Sequence, residues 1–179
     1  MIKGSIARRY ARALLIAGKE AGEVEALLRE IEELAELIER EKSLFETIKN
    51  PSYSSHERRG VLRELIEAMG LSLLMQNFLL LLFDKRRIDY LPEIATSYRE
   101  LSDEFFLRTH ARVITASRIS HELMSRLKKS LEQATKKEVL LKAEEDGGII
   151  GGVIAQVGNT LYDYSIAGQL KRIRKELVE

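Results

Sequence analysis

The residues closest to a chemical motif are two glycine pairs, Gly147-Gly148 and Gly151-Gly152. A phosphate-binding loop lies between a strand and a helix N-terminus, so that backbone N–H groups converge on the anion. Here the neighbours are Ile149, Ile150, Val153, Ile154, Ala155 and Val157, the composition of a strand, and neither G-x-x-x-x-G-K-[ST] nor G-x-G-x-x-G occurs. Glycine in that setting marks a bulge or a close approach of backbone. His56, His110 and His121 are each isolated, and His56-Glu57 and His121-Glu122 both lack the second histidine of a zinc-protease helix. With no cysteine in the chain, a metal site would need ligands gathered from afar. Asp163 and Ser165 have no histidine close in sequence and there is no G-x-S-x-G elbow, so a triad partner could come only from a distance. The expectation is no catalytic, cofactor-binding or metal-binding residue.

Two basic clusters remain, Lys85-Arg86-Arg87 and Lys171-Arg172-Ile173-Arg174-Lys175. Cations near a helix C-terminus are favoured by the helix dipole, which makes a solvated face the plain reading of both. Tyr162 and Tyr164 fall on one strand face, but the aromatic signature of RNA-binding sheets is absent, which argues against nucleic acid. The totals agree. Twenty-nine Lys and Arg against 28 Asp and Glu leave a net charge of +1, too little for a global attraction to polyanions. The charge is uneven: residues 1–105 sum to −3 and residues 106–179 to +4. The longest apolar run, Leu71 to Phe83, is interrupted by Ser72, Gln76 and Asn77 and falls short of the ~20 residues that span a bilayer. The basic N-terminus has no apolar run long enough for a signal peptide.

The elements that would position these residues follow from apolar periodicity. Ile6, Tyr10, Ala13, Leu14 and Ala17 recur on one helical face, with Arg8, Arg9, Arg12 and Lys19 on the other; Gly18 and Gly22 suggest a turn. Val24 to Ile38 gives a second helix, Leu44, Phe45 and Ile48 a short third stopped by Asn50-Pro51, and Ser54 to Glu57 is a capping box ahead of a fourth that ends near Gly70. Leu71 to Phe83 is apolar almost all round, so it is expected to be enclosed on most sides at the centre of a bundle. Leu91 to Phe105 is the sixth helix, with Pro92 in its first turn. After Phe106 the period changes: Ala111, Val113 and Thr115 alternate with Arg112, Ile114 and Ala116, Ser120 caps a helix, and Val139-Leu140-Leu141 opens another strand. The glycine-paired segment adds an acidic turn at Glu144, a strand, a hairpin signal at Gly158-Asn159, a second strand and a closing amphipathic helix with Leu170, Ile173 and Leu177 in its stripe. The reading is α+β: a six-helix bundle over 1–105, then a strand-helix-strand-strand-strand-helix unit over 106–179.

Three segments together resemble one family. Ser5-Ile6-Ala7-Arg8-Arg9-Tyr10-Ala11-Arg12-Ala13-Leu14 is similar to the opening helix of the delta subunit of F-type ATP synthase, a relative of the mitochondrial oligomycin-sensitivity-conferring protein. Asn77-Phe78-Leu79-Leu80-Leu81-Leu82, Arg87-Ile88 and Leu91-Pro92-Glu93-Ile94 resemble its fifth and sixth helices. Gly151, Gly152, Val153, Gly158, Asn159, Asp163, Ser165 and Leu170 resemble its C-terminal signature, the most specific of the three. The resemblance covers essentially the whole chain. The family often has Gly where Arg86 stands, Asp at Asn159, Gly at Tyr164 and a basic residue at Ala167, departures that keep the signature's acidic and basic positions from carrying single-residue roles.

The resemblance implies a non-catalytic stator subunit on the cytoplasmic face of the cell membrane, its membrane association indirect through the complex. It implies that 1–105 grips N-terminal segments of the alpha subunits on the catalytic head and that 106–179 holds the b subunits of the peripheral stalk. Ile6, Tyr10, Leu14, Phe78 and Leu81 are the candidate alpha-subunit contacts carried over by motif position, against the alternative that they only hold the bundle together. A helical adaptor or nucleic-acid-binding protein sharing the layout is the rival, separable by a steep salt dependence of nucleic-acid binding.

Overall fold

The computed structural model describes the backbone of residues 2–158 and 160–178, with side chains described for 4–158 and 160–174. Asn159 of the hairpin signal, and the side chains of Lys175 and Leu177, lie outside the described residues. The chain divides into two compact units, 1–102 and 103–179.

The first unit is helical: α1 (Ile2–Ala21), α2 (Val24–Arg40), α3 (Lys42–Lys49), α4 (Ser55–Met69), α5 (Leu73–Asp84) and α6 (Leu91–Phe105), which ends just inside the second unit, with a 3-10 turn at Ile88–Tyr90. Local signals start and stop these helices. Ser54 Oγ accepts from Glu57 N at 3.2 Å while Glu57 Oε2 accepts from Ser54 N at 2.8 Å, the reciprocal capping box ahead of α4. The Ser54 bonds hold the Glu57 carboxyl below its ordinary range. Ser72 does not interrupt an apolar run; it caps α5, accepting from Met75 N at 3.3 Å. Its own N–H and hydroxyl donate to the Glu30 carboxylate at 2.8 Å each, tying α2 to the start of α5.

Two expectations for α1 change. Gly18 does not end the helix, which continues to Ala21. A Cβ at Gly18 would lie 2.7 Å from Leu27 Cδ1 and 3.3 Å from the Tyr98 hydroxyl, so glycine serves close helix approach here. The core-facing stripe is also rotated from the one that hydropathy selects. Ala7, Ala11, Leu14, Leu15 and Gly18 are buried, whereas Ile6, Tyr10 and Ala17 are half-buried and Ala13 is exposed. Small residues let neighbouring helices come near, so Ala7, Ala11 and Gly18 share the inner face with Leu14 and Leu15.

The second unit is a four-stranded sheet in the order β2-β1-β3-β4, from β1 (Arg108–Thr115), β2 (Glu138–Glu145), β3 (Val153–Val157) and β4 (Thr160–Asp163), with α7 (His121–Thr135) between β1 and β2 and α8 (Ile166–Val178) closing the chain. The β1–β2 pair is parallel and needs the α7 crossover; β3 pairs antiparallel with both β1 and β4. The parallel register places Arg108 opposite Glu138, and the two side chains pair at 2.8 Å. Arg112 pairs with Glu144 through Nε at 2.8 Å. The acidic residues Glu144 and Glu145 therefore belong to β2, and the turn begins at Asp146. The first glycine pair lies in a 3-10 turn, Gly147–Ile149, before the strand expected there.

Candidate partner-binding surfaces

The five candidate contacts lie on α1 and α5, at different depths. Tyr10 and Phe78 meet edge to face with ring centroids 6.4 Å apart, which joins α1 to α5. Leu14 (2% exposed) and Phe78 (7%) belong to the core beneath, Ile6 and Tyr10 are half-buried, and Leu81 is 45% exposed. α5 buries Met75, Phe78, Leu79, Leu82 and Phe83, but it is not enclosed on most sides. Leu73 is 73% exposed, Leu74 and Leu80 are half-buried, and with Asn77 and Leu81 they form a stripe on its outer side. The other bundle helices bury only one face of α5, and the apolar residues beyond that face stay in solvent. The sequence reading missed Leu73 and Leu74, although a helix with more apolar positions than a bundle needs was the signal for them.

In the second unit the glycine, aspartate and serine positions form a structural knot. Ser165 is buried; its hydroxyl donates to Asp163 Oδ1 at 2.6 Å and accepts from Gly168 N at 2.9 Å, capping the start of α8. Asp163 Oδ1 also accepts from Ser165 N at 2.9 Å, and the hydroxyl first, then the amide, hold the Asp163 carboxyl below its ordinary range. Gly151 accepts from Ile166 N at 3.0 Å. Gly152 has φ +82, and a Cβ there would run into the Tyr164 carbonyl oxygen. Gly158, at φ +56, turns β3 into β4. These residues fasten the loop before β3 to the first turn of α8. Asp163 and Ser165 are thus a cap and its anchor, and no histidine meets them among their hydrogen bonds.

The histidines also part company with chemistry. His56 and His121 are exposed in the first turns of α4 and α7, and His110 Nε2 lies 3.0 Å from Asp103 Oδ2. Among the described residues no group of three or more His, Cys, Asp or Glu could hold a metal ion, and no helix is long and apolar enough to cross a membrane.

What the second unit offers instead is uncovered apolar surface. Among the described residues it buries five apolar side chains, Ala111, Val113, Val139, Ile149 and Ala155, against 24 in the helical unit. Leu161, Tyr162, Tyr164, Ile166, Leu170 and Ile173 are exposed along β4 and α8, and exposed apolar side chains that gather into a patch mark a contact site.

A family model described as ATP synthase delta (OSCP) subunit matches residues 6–177. The chain belongs to that family. It is 40% identical to the ATP synthase subunit delta of Anaeromyxobacter sp. (strain Fw109-5) over 177 residues, covering 99% of each chain. It is 37% identical to those of Myxococcus xanthus over 179 residues (99% of this chain, 98% of the relative) and Desulfatibacillum aliphaticivorans over 172 (96% and 94%). A chain in the cryo-EM structure of the Toxoplasma gondii mitochondrial ATP synthase hexamer shares the fold at a TM-score of 0.64 and 19% identity, over 97% of both chains. This delta-family chain therefore has a stator, or coupling, role in the F-type ATP synthase.

Proposed function

We propose that the α1–α5 face receives an amphipathic helix from the N-terminal segment of an alpha subunit, and that the β4–α8 edge holds the b subunits of the peripheral stalk. The chain then links head to stalk without catalysing a reaction and sits peripherally on the cytoplasmic face of the membrane. The observation that carries this reading is the uncovered stripe of α5, with Leu73 and Leu81 exposed beside the Tyr10–Phe78 contact. An apolar stripe between two rigid helices suits an incoming helix with apolar residues three and four apart, because each anchor fills one notch between facing side chains. Ile6, Tyr10 and Leu81 would touch the guest, and Leu14 and Phe78 would hold the first layer in place from beneath.

A stator carries torque, and what resists torque is a large contact on elements that do not bend. No proton transfer or covalent step is required of its side chains. The absence of a membrane-crossing helix among the described residues is compatible with attachment through partners.

Leu81→Asp in the full chain tests the groove, since Leu81 is exposed and its replacement spares the core. Loss of a buried leucine contact and the cost of seating a carboxylate against an apolar guest should weaken binding of an alpha-subunit N-terminal peptide by at least about tenfold. Melting should change little. Undiminished peptide affinity in a folded Leu81→Asp protein would remove the groove from the proposal.

A further inference from the structure

The basic cluster at the end of α5 contains a strained residue. Arg86 has φ +55, in the left-handed region where a side chain is disfavoured and glycine is the usual occupant after a helix. The dipole of α5 favours a cation nearby, but Lys85 supplies one without that backbone conformation, so the dipole does not account for arginine at this position. The Arg86 side chain lines a cleft of about 280 Å³ with Lys49, Arg58, Phe83, Ile88 and Asp89. All of these residues belong to the helical unit, contributed by α3, α4, the end of α5, the turn that follows it and the 3-10 turn.

The cleft has an apolar floor and a cationic rim. Phe83 and Ile88 are buried. Lys49 Nζ lies 2.7 Å from Asp89 Oδ1, so this pair is neutral in sum. The Arg58 guanidinium stands 5.5 Å over the Phe83 ring and donates from Nη1 to the Ile48 carbonyl at 3.4 Å. The nearby acid Asp84 is taken by Arg59 at 3.3 Å, and Arg87 turns to the Tyr90 hydroxyl at 3.2 Å. Arg58 and Arg86 are left facing the cleft with no carboxylate partner among the described residues, a net charge of +2 over apolar walls.

We propose that this cleft binds a small organic oxyanion, a carboxylate or phosphate carried on a short apolar body. The Arg86 guanidinium and the remaining Arg58 donors match the oxygens of either anion, and Pro51 and Ile88 line the cleft for the apolar part. The volume lies at the lower end of the ~300–1,000 Å³ of small-molecule sites, which favours a body about the size of one ring. The site is separate from the α5 stripe that would take the helix, so either assignment can fail alone.

The test is a titration of the isotope-labelled full chain with phenyl phosphate and benzoate, followed by backbone amide shifts, with sodium chloride at equal ionic strength and inorganic phosphate as comparisons. Saturable shifts are expected at Lys49, Arg58, Arg86 and Ile88, with inorganic phosphate clearly weaker. Arg58→Gln and Arg86→Gly should each weaken phenyl phosphate at least about tenfold, the size of one lost charge-assisted hydrogen bond. Arg86→Gly relieves the left-handed strain and should also raise Tm, by about 4 °C. A more stable protein that binds less cannot be explained by damage to the fold. The proposal is overturned if the shifts only track ionic strength, if inorganic phosphate binds as tightly as phenyl phosphate, or if Arg86→Gly binds undiminished.

Discussion

Tyr98 shows how much one side chain can decide by packing and hydrogen bonding alone. It is fully buried on α6, and its hydroxyl donates to the Val24 carbonyl at 3.2 Å across 74 positions of sequence. Burial pushes its pKa from 10.0 up to about 12. The sign follows from linkage: the unfolded chain releases this proton near pH 10 while the folded chain keeps it, so stability is full below pH 10 and falls as pH rises toward 12. Tyr98→Phe removes both the hydrogen bond and the titration. It should cost about 1 kcal/mol at neutral pH, and its stability should fall less steeply than that of the parent between pH 10 and 12. Denaturant titrations at a series of pH values measure both, and identical alkaline slopes for the two proteins would refute the assignment. The glycine pairs stand at the opposite extreme, legible as a motif in the sequence but not as a role. Gly152 is required because the Tyr164 carbonyl crosses where a Cβ would be, and nothing within a few residues of Gly152 announces Tyr164.

At the scale of elements, helix starts were legible because they are local. Ser54 with Glu57, and Ser120 ahead of Leu123, each satisfy a backbone N–H three residues away. Ser72 followed the same rule, yet it lay inside an apolar run and read as an interruption. The faces of helices were less legible. Hydropathy placed Ile6 and Tyr10 in the inner stripe of α1, whereas Ala7 and Ala11 occupy it. The first turn of α8 is held by Asp163, Ser165 and the strand-preceding loop, so its attachment is a property of two elements together. Gly152→Ala should break that attachment, because backbone cannot yield as a side chain would, at a cost of about 2–3 kcal/mol. Amide exchange at Ile166 and Gln169, which donate to Gly151 and Ser165, should quicken while Leu79 and Leu82 on α5 stay protected. Unchanged exchange at Ile166 would show that the knot does not hold the helix.

For the whole molecule, the two units differ in how they are stabilised. Among the described residues the helical unit buries 24 apolar side chains, while the sheet unit buries five and leaves several uncovered along β4 and α8. Calorimetry should accordingly show two transitions, the lower one belonging to the sheet unit and rising when stalk b subunits bind it. A fragment of residues 1–107 should keep the higher transition and the affinity for an alpha-subunit N-terminal peptide, and lose binding to the stalk. Stalk binding at full affinity by that fragment would move the stalk site into the bundle.

The sequence by itself determined the order and type of the helices and strands, though not the two 3-10 turns, because apolar period, caps and breakers act within a turn or a strand. It also determined that no catalytic motif is present and, through three separated segments, the family. Tertiary structure decided what is left over for partners. Whether Leu73 faces solvent depends on how much of α5 its neighbours cover. Whether Arg86 joins Lys49 and Arg58 around one cleft depends on where α3 and α4 bring their ends. Burial is a relation between elements, and no window of sequence contains both sides of it.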